Sequence, residues 1–128
     1  MLRTLKCPVI ALEEHYWDKE LAALFAGAEG VRDPQTLKRL YDLGELRLSE
    51  MDEAGIDVQV LSHGAPATQR MDAETAVPVA RKANDRLFEV IKNSKGRFEG
   101  FAALPTADPG AAADELERAV TKLGLRAR

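Results

Sequence analysis

Residues 8–15 read Pro-Val-Ile-Ala-Leu-Glu-Glu-His, and this stretch decides how the fold is interpreted. A short apolar run with β-branched residues turns abruptly polar, which is typical of a buried strand whose C-terminal end carries ionisable groups. Side chains alternate along a strand, so we expect Glu13 and His15 to share a face and Glu14 to point the other way. The sequence therefore predicts a carboxylate beside an imidazole at the end of a strand.

Two further strands are predicted downstream, over residues 57–62 (DVQVLS) and 98–104 (FEGFAAL). Each is a short apolar run followed by a polar or proline-containing loop. Residues 16–32 show little periodicity, and we interpret them as an irregular excursion with a short helix near residues 19–25.

Three amphipathic helices are predicted, over residues 33–54, 75–93 and 108–123. An Asp-Pro pair begins the first and the third, with aspartate as the N-cap and proline at the first helical position. Gly44 is expected to bend the first helix, because glycine weakens a helix interior. Pro78 is expected near the first turn of the second helix, where proline is tolerated.

The elements alternate between strand and helix three times, which predicts right-handed βαβ units around a parallel sheet. The chain has 128 residues, whereas a complete (β/α)8 barrel needs about 250 residues. The length is that of one ordinary domain, but too short for a closed barrel.

Composition excludes several classes of protein. The formal net charge of -3 argues against a nucleic-acid binder, and no apolar run reaches the length of a membrane span or a signal peptide. The single Cys7 rules out an internal disulfide framework. We therefore expect a cytoplasmic protein that binds neither nucleic acid nor membranes.

Glu13 and His15 form the strongest chemical signal. A carboxylate oxygen and an imidazole nitrogen suit a divalent ion such as Zn²⁺ or Mn²⁺, at the edge where α/β folds bind ligands. The alternative is a chance Glu-x-His triplet that merely ends a strand. A catalytic zinc site also takes about three protein ligands, so the pair is incomplete.

His63 and Arg47 are weaker candidates. His63 follows the second strand and could contact a substrate or exchange protons, or it is an ordinary loop histidine. Arg47 could clamp a carboxylate, or form an exposed ion pair with Glu50 one turn later. The segment 84–86 (Asn-Asp-Arg) could fix a neighbouring loop. We assign no catalytic residue.

Several strings taken together resemble the amidohydrolase-2 group of the amidohydrolase superfamily, and within it the γ-resorcylate and 2,3-dihydroxybenzoate decarboxylases. They occur in order along nearly the whole chain, which makes the resemblance specific. The strings are residues 10–15 (IALEEH), 47–57 (RLSEMDEAGID), 60–66 (VLSHGAP), 83–85 (AND), 97–105 (RFEGFAALP) and 115–124 (ELERAVTKLG).

The resemblance implies an α/β fold, namely a partial (β/α)8 TIM barrel. Residues 1–128 would form its first three βα units, the N-terminal part of an amidohydrolase-related barrel domain truncated before the fourth strand. Residues 126–128 (Arg-Ala-Arg) break the apolar pattern expected of that strand.

The resemblance also implies a divalent metal, Zn or Mn, with Glu13 and His15 as two of its ligands. The family's substrates are small aromatic carboxylic acids, and its loops after the second and third strands line the pocket. His63 thereby becomes a candidate substrate-binding residue. Arg47 is another candidate, with a structural role as the alternative. The family's remaining ligands, a histidine and an aspartate from later strands, have no counterpart in this chain.

Three hypotheses about function follow. The first is the N-terminal segment of a metal-dependent decarboxylase for hydroxybenzoate-type acids, inactive alone. The second is a metal-dependent hydrolase of the same superfamily, for example a lactonase. The third is a non-catalytic α/β module that self-associates, because a partial barrel leaves open sheet edges and predicts a homo-oligomer.

Overall fold

The computed structural model describes residues 7–126. A parallel sheet of three strands, in the order β1-β2-β3, forms the centre of the fold. The strands are β1 (Ile10–Tyr16), β2 (Val58–His63) and β3 (Phe98–Gly100). This agrees with the predicted βαβ units and with a partial barrel.

Five helices connect and follow the strands in this part of the chain. A 3₁₀ turn at Gly27–Gly30 lies in the predicted irregular excursion. The helices are α1 (Lys19–Ala22), α2 (Pro34–Tyr41), α3 (Glu45–Ala54), α4 (Ala73–Lys92) and α5 (Pro109–Lys122).

The helices cover one face of the sheet and build the core there. Tyr16, Leu61 and Phe98, one from each strand, pack against helix residues such as Met51 and Leu87. Four side chains of β1 are exposed on the other face, namely Ile10 (56%), Leu12 (59%), Glu13 and His15. We call these the helix-covered face and the open face of the sheet.

One irregularity interrupts the pairing of β1 with β2. Ala11 pairs with Gln59 and Glu14 with Leu61, so Leu12 and Glu13 together stand opposite the single residue Val60. This is a β-bulge, in which two residues of one strand oppose one of its neighbour. Leu12 and Glu13 are both exposed and lie on the open face.

The expected helix over residues 33–54 is two helices, α2 and α3. The Asp42 carboxylate stabilises the start of the second helix, because its Oδ1 accepts from the backbone N–H groups of Gly44 and Arg47, each at 3.0 Å. Asp42 itself has extended backbone angles, which stop α2. The break is therefore complete where we expected a bend at Gly44.

Other predicted boundaries are shifted. The structure extends β1 to Tyr16 and shortens the third strand to three residues. Pro78 is six residues into α4, not in its first turn, because Asp72 caps a helix that begins at Ala73. The proline ring stays exposed there and removes one helix hydrogen bond.

Pairing continues beyond β3 at Arg126. Its backbone N–H donates to the Gly100 carbonyl at 2.8 Å, and its own carbonyl accepts from Ala102 at 3.3 Å, in a parallel bridge with Phe101. The polar side chain of Arg126 does not prevent this pairing, because a ladder is built from backbone groups. The remainder of the expected break, residues 127–128, lies outside the described residues.

None of the helices within residues 7–126 combines the length and the apolar character that crossing a bilayer requires. The cytoplasmic location stays a prediction.

Candidate functional site

Glu13 and His15 lie together on the open face near the C-terminal end of β1. Both are exposed, whereas Glu14 between them is half-buried on the helix-covered face. The alternation expected from the sequence is therefore present at this end of the strand. The bulge at Leu12 and Glu13 disturbs the pairing upstream but does not separate Glu13 from the face of His15.

Ser62 connects His15 to the central strand. The Nδ1 atom of His15 lies 3.1 Å from the Ser62 hydroxyl oxygen, and His15 pairs with Ser62 in the parallel ladder. Ser62 is buried, with 6% of its surface exposed. Ser62 was not predicted as a site residue, because its contact with His15 joins residues 47 positions apart.

Arg47 lies behind the sheet, on the helix-covered face. Its guanidinium donates hydrogen bonds to the backbone carbonyls of Asp42 (2.8 Å), Arg39 (2.8 Å) and His15 (3.0 Å), and to Gln59 Oε1 (3.2 Å). Burial lowers the pKa of Arg47 below its ordinary value, and the negative charges of Glu14 and Asp42 oppose this effect. The side chain thus connects α2 and the loop after it to β1 and β2.

Arg47 and Glu50 do not form the ion pair that was considered as an alternative. Glu50 pairs with Arg39 at 2.8 Å instead. The role of Arg47 as a substrate contact stays a prediction, and the face on which it lies is opposite to Glu13 and His15.

His63 ends β2 on the helix-covered face, where its ring meets Tyr16 edge to face at 5.3 Å. Its Nε2 accepts from the backbone N–H of Asp18 at 2.9 Å, and its Nδ1 lies 2.9 Å from the Gly64 carbonyl. Burial lowers the pKa of His63, which favours the neutral ring that these two contacts require. Both nitrogens therefore serve backbone groups, and the structure does not bring His63 to the face of His15.

An ion pair between the buried Asp18, next to this histidine, and the half-exposed Arg86 was not predicted. Arg86 grips Asp18 with two hydrogen bonds of 2.6 and 2.8 Å, and Asp18 also caps α1. Burial opposes ionisation of Asp18, but the Arg86 contacts outweigh it and hold the pKa of that carboxyl below its usual value. The local Asp-x-x-Leu cap was readable from the sequence, whereas the pairing with α4 was not.

The loop after β3 is fixed by Asn84, as predicted. Asn84 accepts from the Ala103 N–H at 2.8 Å and donates to the Ala103 carbonyl at 2.9 Å, while Glu115 accepts from the same amide at 2.8 Å. Arg118 in turn holds Glu115 and Asp85. This loop stands beside the C-terminal ends of β2 and β3 and is held firmly there.

The residues on the open face fit part of a metal site. Glu13 supplies a carboxylate and His15 an imidazole on the same exposed face, and Ser62 can orient the imidazole as a metal-bound histidine requires. Within residues 7–126 no group of three or more His, Cys, Asp or Glu side chains is arranged to hold a metal ion. The described residues thus offer two ligands.

Comparison with protein families assigns the chain. The family model described as Amidohydrolase matches residues 10–127. The chain belongs to the amidohydrolase family. The match begins at the first residue of β1 and includes all the strands and helices described above. We call residues 10–127 the amidohydrolase segment.

Several curated and solved relatives of this chain are decarboxylases. The γ-resorcylate decarboxylase of Rhodococcus jostii is 46% identical over 118 residues, which cover 91% of this chain and 36% of that protein. A dihydroxybenzoic acid decarboxylase from Polaromonas, solved with manganese and the inhibitor 2-nitroresorcinol, is 44% identical with a TM-score of 0.81, over 92% of this chain and 36% of that one.

A third relative is the 5-carboxyvanillate decarboxylase of Sphingomonas paucimobilis. It is 32% identical with a TM-score of 0.84, and the match covers 92% of this chain and 41% of that structure. The amidohydrolase segment thus spans little more than a third of the length of its relatives. Its sheet and helices correspond to the N-terminal portion of their TIM barrels.

Proposed function

We propose that this chain carries part of the active site of a metal-dependent decarboxylase for small aromatic carboxylic acids. One observation carries the proposal. In a segment 46% identical to a γ-resorcylate decarboxylase, the Glu-x-His pair lies exposed on the open face at the end of β1. Carboxyl ends of barrel strands are where such enzymes place their active sites.

Glu13 and His15 would hold the metal, and Mn²⁺ is the first ion to test because the Polaromonas relative contains it. Bound there, a divalent ion orients and polarises the oxygens of an aromatic acid. The described residues supply two ligands, and a catalytic site takes about three. The further ligands would come from outside residues 7–126, so we expect the isolated chain to be inactive.

The isolated chain should release no CO₂ from γ-resorcylate with Mn²⁺ or Zn²⁺ present. Clear turnover would contradict the proposed inactivity. That His63 and Arg47 contact the substrate remains a prediction. It is tested by measuring the binding of γ-resorcylate to the His63→Gln and Arg47→Lys variants.

A chimera tests the proposed activity itself. Residues 10–127 replace the matching segment of the Rhodococcus jostii enzyme, and CO₂ release from γ-resorcylate is measured with Mn²⁺. We expect activity, and a loss of about 100-fold or more in Glu13→Gln and His15→Asn because a metal ligand is removed. Glu14→Gln is the matched control, since Glu14 is adjacent in β1 but lies on the other face.

Equal activity of the Glu13→Gln and Glu14→Gln chimeras would overturn the assignment of Glu13. Ring opening of a lactone by a chimera that releases no CO₂ would favour the hydrolase alternative, in which Glu13 and His15 would hold a metal that activates water.

A further inference from the structure

Ser62 is well placed to control the ring of His15. It is the second-last residue of β2, it is buried, and its hydroxyl oxygen lies 3.1 Å from His15 Nδ1. The backbones of these two residues are paired in the sheet, which fixes the distance between their side chains. The contact therefore belongs to the rigid part of the fold and not to a loop.

The consequence for His15 lies in which nitrogen carries the proton. A neutral imidazole donates through one nitrogen and accepts through the other, and the hydrogen bond at one nitrogen sets the role of the second. If Nδ1 donates to the Ser62 hydroxyl, the lone pair is on Nε2. Metal-bound histidines commonly have this arrangement, with the second nitrogen donating to a partner in the protein.

A serine beside a histidine also resembles a nucleophile beside its base. The surroundings of Ser62 disagree with that role. Its side chain is only slightly accessible, and it lies within a regular strand where no turn exposes the hydroxyl to a substrate. A role in orienting His15 needs no such access.

We propose that Ser62 is a positioning residue for His15. Its hydroxyl accepts from Nδ1–H and leaves the Nε2 lone pair directed to the open face, where Glu13 also lies. This inference rests on the proposed function for the identity of the ligand, but the orientation of the ring is measurable without any metal.

The chain contains two histidines, so imidazole nitrogen resonances from ¹⁵N-histidine labelling give a simple spectrum. The metal-free chain is observed at a pH about two units above the ordinary imidazole pKa of ~6.5. We expect His15 in the Nδ1–H tautomer in the wild type and in Ser62→Thr, which keeps the hydroxyl. Ser62→Ala should shift His15 away from that tautomer and leave His63 unchanged.

Ser49→Ala, at an exposed position of α3, is the matched control and should change neither ring. Zn²⁺ is then added as a diamagnetic probe. We expect it to shift the His15 Nε2 resonance, with an apparent affinity about 10- to 100-fold weaker in Ser62→Ala than in Ser49→Ala.

The outcomes separate the two proposals. An Nε2–H tautomer of His15 in the wild type overturns the role of Ser62 without need of any variant. A Zn²⁺-induced shift of the His15 resonance with the same apparent affinity in Ser62→Ala and Ser49→Ala overturns it as well. If the tautomer depends on Ser62 but Zn²⁺ shifts no His15 resonance, the ring-orienting role stands and the metal site proposed above is wrong.

Discussion

Single side chains on the helix-covered face hold the end of β1 in place. Arg47 is the clearest case, because its guanidinium contacts α2, the loop before α3 and both neighbouring strands at once. One of its acceptors is the carbonyl of His15, so the backbone behind the proposed metal ligand is fixed by a residue that lies across the sheet from it.

Arg47→Lys should lower the free energy of unfolding by about 1–3 kcal/mol, because an ammonium group cannot reach four separated acceptors and several of these hydrogen bonds are lost. Urea unfolding followed by circular dichroism measures the change. Arg39→Lys is the matched control, since Arg39 is mostly exposed and pairs with Glu50 alone through its side chain. An equal cost for both variants would mean that the Arg47 contacts add nothing.

His63 makes stability depend on pH. Burial lowers its pKa in the folded chain, so below the ordinary value of ~6.5 the unfolded chain binds more protons than the folded one. Stability should therefore fall as the pH decreases through about 6.5 and continue falling until the lower pKa of the folded state is reached. Urea unfolding at several pH values reveals this slope.

The His63→Gln variant should lose that part of the slope, whatever its stability at neutral pH. Identical slopes for wild type and variant between about pH 7.5 and 5.5 would show that another group is responsible.

At the scale of elements, helix and sheet pack closely where a glycine allows it. A Cβ atom at Gly100 in β3 would lie 2.7 Å from Leu87 Cδ2 and 3.0 Å from Ile91 Cδ1, both in α4. Gly100→Ala should thus cost about 1–3 kcal/mol of stability, because α4 must move or its side chains must leave their rotamers.

Gly110→Ala is the control for that substitution. Gly110 lies in the first turn of α5, where an added Cβ meets only ordinary contact at 3.5 Å, and alanine favours a helix. Thermal unfolding should show a clear loss for the first variant and little change or a small gain for the second. A Gly100→Ala chain as stable as wild type would mean that the β3–α4 contact is looser than described.

Local signals account for what the sequence predicted at this scale. The capping aspartates Asp33 and Asp108 each accept from a backbone N–H three residues later in the chain. The starts of α2 and α5 can therefore be predicted from a few neighbouring residues. Side-chain alternation likewise placed Glu13 and His15 on one face. These features depend on chain geometry over a few residues.

Features that depend on register were not predictable from one sequence. The Ser62–His15 and Arg47–His15 contacts arise only once β1 and β2 are aligned, and that alignment includes a bulge. The break at Asp42 was missed for a different reason. Its carboxylate accepts from two backbone N–H groups that a continuous helix would use. The helical spacing of apolar residues continues across the break and therefore does not indicate it.

On the scale of the whole molecule, the open face and the sheet edges determine how the chain behaves in solution. Ile10 and Leu12 are more than half exposed on β1, which is an edge strand. Exposed apolar edge strands favour pairing with another chain. The isolated chain is therefore predicted to form oligomers or aggregates.

Leu12→Lys should increase the monomeric fraction, because a charge on an edge strand disfavours association. Light scattering over a range of protein concentrations measures the mass. Leu24→Lys is the matched control, since Leu24 is also exposed but follows α1, outside the sheet. A wild-type chain that is monomeric and melts cooperatively would contradict the prediction.

The bulge in β1 also bears on how this strand tolerates changes of length. In a regular strand, loss of one residue turns every side chain on one side of the deletion to the opposite face. Here Leu12 and Glu13 share the place opposite Val60, with Ala11 and Glu14 paired on either side. Deleting Leu12 would leave a regular ladder with Ile10, Glu13 and His15 still on the open face. In an ordinary strand such a deletion would exchange the two faces. Here its effect is limited to the loss of one apolar side chain.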